Sequence, residues 1–150
     1  MRLKTKIAFW CYFTAIFSQA SAGVVYISRK AFMPYHEVAV GMPWVDVPSS
    51  IKVLIVALMR IWGGTSLIFA LALFILLFIP FRESRGWSFF AIPFLMLTNY
   101  AAMSYAMAHV DLNTPANPPW SFIICGVLLT VIACVLSVTD RNQERDSKQR

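Results

Sequence analysis

A chain of 150 residues that is 59% hydrophobic and only 13% charged is not built like a soluble domain, which carries roughly 25% charged residues. At this length it holds a single domain. The net charge of +6 does not point to nucleic acid, because the basic residues gather at the chain ends and in one short turn beside apolar runs, as lysine and arginine do in membrane proteins, with no basic–aromatic interleaving.

A hydrocarbon core about 30 Å thick needs about 20 apolar residues per crossing, and four segments meet that demand. The first is Ile7 to Ser28. Its leading stretch, "MRLKTKIAFWCYFTAIFSQASAG", also has the basic start, apolar middle and small-residue "ASA" of a signal peptide. Cleavage there would leave three spans. Apolar character that continues through "GVVYIS", and a charge pattern balanced only by four spans, favour retention.

The segment "RKAFMPYHEVAVGMPWVD" follows, alternating aromatic and apolar residues with a few charges. It reads as an interfacial segment that folds back over the bundle. "VDVPSS" is a helix start, and the second span runs from Ile51 to Pro80. "IPFRESRGW" is a tight charged turn. The third span, Trp87 to Val110, carries Pro93, which should kink it. "DLNTPANPPW" is too rich in proline for helix interior and places Pro119 at the head of the fourth span, Trp120 to Val138. The tail, 139–150, mixes both charge signs without an apolar face and reads as a solvated end. The fold class is therefore all-α: an integral membrane four-helix bundle with an interfacial segment between helices 1 and 2.

Arg2, Lys4, Lys6, Arg82, Arg85 and four basic residues of the tail fall on one side of such a bundle. The other side has Arg29, Lys30 and Lys52. The positive-inside rule then puts both termini in the cytoplasm. Trp44, Trp87 and Trp120 near span ends suit an aromatic belt, and Phe9, Trp10, Phe13, Phe89, Phe90 and Phe94 read as lipid-facing or core. Cys11, Cys125 and Cys134 lie in apolar runs with no CxxC pair, so they read as packing residues rather than a disulfide framework or zinc site.

Arg60 is the anomaly, because a charge at the bilayer centre costs at least about 2.5 to 3.5 kcal/mol. The uncharged run Ile61 to Ile79 nearly spans alone, so Arg60 falls near the outer edge, where it can snorkel. Helical spacing sets it on a small-residue face with Ala57, Gly63 and Gly64. Such faces permit close helix approach, so Arg60 is expected to face protein. The third span offers Leu95, Asn99, Ala102, Ala106 and His109 at heptad-like spacing, descending to about 15 Å depth beside an antiparallel neighbour. The first span adds Thr14, Ser18, Gln19 and Ser21. Scarce polar groups collect at the outer mouth: His36, Glu37, Arg60, His109 and Asp111. Fixing helix register is the plain alternative role for them. The set has no metal-ligand spacing and no nucleophile arrangement, and no cofactor motif is present.

"FMPYHEVAVGMPW", "ALMRIWGG", "IPFR" and "TPANPPW" together resemble a widespread set of short bacterial membrane proteins. Their four-span plan is similar in architecture to the DoxX-like superfamily. That resemblance implies a bundle with an interior cavity, in a group linked to quinone and sterol-type ligands, and transfers no catalytic residue. The expectation is a small multi-pass protein holding a lipid- or quinone-like ligand, with Arg60 anchoring the polar head and His36, Glu37, Asn99, His109 and Asp111 around it. The alternatives are a membrane subunit of a redox or lipid-modifying enzyme, and a structural accessory subunit that docks a partner helix, or a second copy, through the glycines.

Overall fold

In the computed structural model, which describes residues 2–149 with side chains through Arg141 and at Gln143, the chain is all-α. Helix α1 spans Leu3–Ser28, short α2 Pro34–Val40, α3 Ser49–Leu76, α4 Ser88–Asn113 and α5 Trp120–Gln149. A 3-10 turn, Trp44–Asp46, precedes α3, and a π turn, Leu77–Phe81, prolongs it. Four helices are long and apolar enough to cross a membrane: Leu3–Ser28, Ser49–Phe81, Ser88–Asn113 and Trp120–Arg141.

Each span of the sequence reading recurs as a helix, but the last does not stop at Val138. Its backbone stays helical to Gln149. "NQERDSKQ" contains no proline or glycine and is mostly good helix formers. The first turn beyond the span is also tied down. Asp140, only 5% exposed, accepts a hydrogen bond from the Thr5 hydroxyl and lies 4.0 Å from Arg2. Arg141 donates to the Gly86 carbonyl at 2.8 Å and sits over the Phe89 ring. The start of the tail therefore belongs to the bundle.

These ties also fix the topology. The start of α1 lies beside the end of α5, and both lie beside the turn between α3 and α4, so the long helices run alternately up and down. Arg2, Lys4, Lys6, Arg82, Arg85 and Arg141 share this end, while Arg29, Lys30 and Lys52 belong to the end that carries α2. Helix α1 is the hub and packs on both α3 and α5. Helix α4 lies on α5 and meets the second span chiefly through the π turn.

The α1–α3 contact is made backbone to backbone. A Cβ on Gly63 would stand 2.7 Å from the Gly23 carbonyl oxygen and 2.8 Å from an Ile27 side-chain carbon. Glycine here is what lets the helices touch, the small-residue packing expected where lipid gives no hydrophobic push. Beyond it, Tyr12, Ile16, Leu73, Leu77, Phe81, Phe89 and Ile92 fill the core toward the termini. Large apolar side chains such as Trp10, Ile68, Phe94 and Val135 point outward, more than half exposed, as a lipid-facing surface requires. A second, smaller cluster forms at the α2 end, where Phe32 and Val47 close over Met59 with Trp44 and Ile55 alongside. The interfacial segment thus folds back as expected and covers one side of "VLIVALM". Val53, Leu54 and Leu58 on the other side stay exposed.

Candidate functional site

The α2 end is not filled. Ala22 and Tyr26 of α1, Tyr35 and His36 of α2, Trp62 of α3, Met103, Ala106, Met107 and Val110 of α4, and Pro118, Pro119 and Phe122 line a half-open cavity of about 380 Å³, with Ala106 and Pro119 at its exposed side. The local sequence explains the hollow. Ala22 and Ala106 place a single methyl each where a larger side chain would close the gap. Pro118 and Pro119 carry no N–H and end the connection before α5.

Helix α2 is the roof. Pro34 opens it at the first helical position, and Gly41, with φ +75°, ends it in the left-handed conformation that glycine adopts without penalty. The Met33 N–H donates to His36 Nδ1 at 3.4 Å, which caps the roof's first turn. Tyr35 reaches α1, where its hydroxyl and that of Tyr26 share a hydrogen bond of 2.7 Å. Tyr26 in turn packs on Trp62 with ring centroids 4.2 Å apart, and Tyr35 meets the His36 ring edge-on at 4.1 Å. Burial lowers the His36 pKa below 6.5, favouring the neutral ring. Burial, and then the bond to Tyr26, pushes the Tyr35 phenol well up, so it stays protonated. Apart from these tips and Trp62 the wall is apolar, and no lysine, arginine, aspartate or glutamate lines it.

Of the expected ligand-binding residues only His36 lines the cavity, together with Ala106 of the expected third-span seam. Arg60 is exposed, with no hydrogen-bond or ion-pair partner among the described residues. The face that α3 buries is Met59, Gly63, Ser66, Ala70 and Leu73, and Arg60, one residue on from Met59, is turned about 100° away. Ala57 is exposed as well, and a Cβ on Gly64 would meet nothing within 4 Å. The packing face is therefore narrower than expected, with Gly63 alone at the contact.

The expected seam on α4 is displaced by a residue. Ile92, Met96 and Tyr100 are buried with Met103 and Met107 packed beside them, while Ala102, Ala106 and His109 are exposed. The cause is the neighbour: α4 rests on α5 rather than on α3, so Asn99 never approaches Arg60. Instead Asn99 donates to the Oε1 atom of buried Gln19 at 3.1 Å and to Met103 Sδ at 3.5 Å. Thr14, Ser18 and Ser21 of α1 are exposed rather than interior. Glu37 is exposed, and so is Asp111, which accepts from Trp120 Nε1 at 3.3 Å. The charged groups at this end thus stay on the outside and do not converge. Cys11 and Cys134 are half-buried, whereas Cys125 is exposed rather than packed, and all three are free thiols. Among the described residues no three His, Cys, Asp or Glu side chains gather as a metal site would need.

Tyr26, Tyr35 and Trp62 are the functional candidates that the sequence reading passes over. They sit near span ends, where tyrosine and tryptophan are ordinary members of an aromatic belt. The available signal was the pair Gly23 and Gly63. Tyr26 lies one turn from Gly23 and so falls near the contact, whereas Trp62, adjacent to Gly63, carries no such signal, and the structure alone shows its packing on Tyr26. No family model matches the chain, nor does any curated protein or solved structure.

Proposed function

We propose that this is a small multi-pass membrane protein that holds a lipid- or quinone-like molecule in the cavity beneath α2. The observation that carries the reading is the cavity itself: a largely apolar chamber of about 380 Å³ whose polar atoms converge at Tyr26, Tyr35 and His36. Ligand sites are typically apolar hollows of roughly 300–1,000 Å³ with a few placed polar groups. The polar anchor is this aromatic triplet rather than Arg60, and the exposed Arg60 snorkels to the membrane surface. The distribution of Arg2, Lys4, Lys6, Arg82, Arg85 and Arg141 at one end supports an orientation with both termini in the cytoplasm and α2 on the outer face, and the bacterial inner membrane is what the resemblance to short bacterial membrane proteins implies.

The test is thermal unfolding of delipidated protein with and without bacterial lipid extract. A ligand that binds only the folded state raises the midpoint. The extract should stabilise the wild type and Arg60→Leu, and fail to stabilise Ala106→Phe, in which a ring occupies the cavity. Equal stabilisation of all three would mean that lipid merely solvates the bundle and would overturn the reading.

A further inference from the structure

We infer that the cavity selects a neutral head group bearing an acceptor oxygen, such as an ester or ketone carbonyl, and rejects the ionised heads of free fatty acids. This inference rests on the binding role proposed above and specifies its ligand class. It follows from a count of hydrogens on the cavity wall.

Two phenols carry two hydroxyl hydrogens, and the Tyr26–Tyr35 bond of 2.7 Å consumes one. The other remains free, whichever tyrosine donates. His36 Nδ1 accepts from the Met33 N–H, so the neutral ring carries its hydrogen on Nε2. Two donors are thus available at one corner of the chamber, and the indole N–H of Trp62, a third donor, belongs to a residue of the same wall. Donors left without an acceptor in an apolar site are unfavourable, so a ligand that supplies a carbonyl oxygen there gains what a bare hydrocarbon cannot.

An anion would satisfy the same donors, but its charge has nothing to meet. No cation lines the cavity among the described residues, and burial already opposes charging the one titratable ring that could supply one. Burying a lone carboxylate without a counter-charge is far costlier than burying an ester. The exposed Arg60 lies outside the lining and offers no compensation. At about 380 Å³ the chamber admits a head and the first part of an acyl chain, but not a whole phospholipid.

The experiment is equilibrium binding of radiolabelled methyl stearate to the full-length protein in mild detergent at about pH 8, where stearate is largely ionised. Unlabelled methyl stearate, stearate and octadecane compete. The ester should compete at least about tenfold better than stearate and than octadecane. Replacing both phenols, Tyr26→Phe with Tyr35→Phe, should bring the ester down toward octadecane, because either single change leaves one free hydroxyl hydrogen on the remaining phenol, while Arg60→Leu leaves its advantage intact. Stearate competing as well as the ester, or an ester advantage undiminished in the double variant Tyr26→Phe with Tyr35→Phe, would overturn the inference. Saturable binding that Ala106→Phe abolishes, but that shows no head preference, would sink the head-group claim alone. No saturable binding, or binding indifferent to Ala106→Phe, would sink the cavity reading with it.

Discussion

Toward the chain termini, Tyr12, Phe81 and Phe89 interlock between α1, the π turn and α4, with Tyr12 and Phe81 fully buried. Toward α2, alanines at 22 and 106 face a chamber of about 380 Å³, and aromatic rings line the wall instead of filling the middle. Both regions are built from the same apolar alphabet on the same four helices. The difference lies in where bulk is placed, and in how each end is tied. Polar ties to buried Asp140 and to the Gly86 carbonyl close the termini end. One shared hydroxyl hydrogen bond holds the roof to α1 at the other. One half of the bundle is thus packed and tied, and the other is left hollow.

That contrast can be attacked at its strongest point first. Gly63→Leu should be the most damaging change, because its side chain must displace the Gly23 backbone and Ile27. A loss of about 3 kcal/mol is expected, the upper range for overpacking. Gly64→Leu, pointing into open space, should stay within about 1 kcal/mol. Thermal unfolding in detergent reads both, and equal losses would mean that the helices do not touch at Gly63.

A smaller effect should follow at the closed end. Asp140→Leu removes a buried acceptor from the Thr5 hydroxyl and should cost about 2 kcal/mol. Ligand-induced stabilisation should be unchanged, since the two ends are independent. If Asp140→Leu abolished it, the division of the bundle into two regions would fail.

The smallest effect is a pH dependence confined to the roof. Above pH 6.5 His36 is neutral whether α2 is docked or released. As pH falls below 6.5 the released ring takes up a proton first, because burial holds the docked pKa lower. Stability is therefore lost on acidification from 6.5 down to the docked pKa, and levels off below it. Protonation of Nδ1 would also end its acceptance from the Met33 N–H. Hydrogen exchange of residues 34–40 between about pH 8 and pH 5 should show the roof loosening, and His36→Gln should flatten the profile.

The helices were legible in the sequence because membrane spans are written in length and hydropathy, and their order was fixed by even span number and clustered basic residues. The helix contacts were not. Arg60 is grouped by helical spacing with Ala57, Gly63 and Gly64 on one small-residue face, which predicts its burial, whereas of these only Gly63 meets α1. Asn99 looked like its partner because sequence neighbours were assumed to pack together, yet α4 lies on α5. Scarce charge drew the eye to the mouth of the bundle. The cavity is marked instead by tyrosines and an absence of bulk, which composition does not flag.

The most direct test of the account is mass spectrometry of small molecules that co-purify in mild detergent with wild type, Ala106→Phe and Arg60→Leu. The account predicts a defined neutral molecule retained by wild type and Arg60→Leu and lost from folded Ala106→Phe. A molecule retained by Ala106→Phe and lost from Arg60→Leu would contradict it and return the site to the arginine.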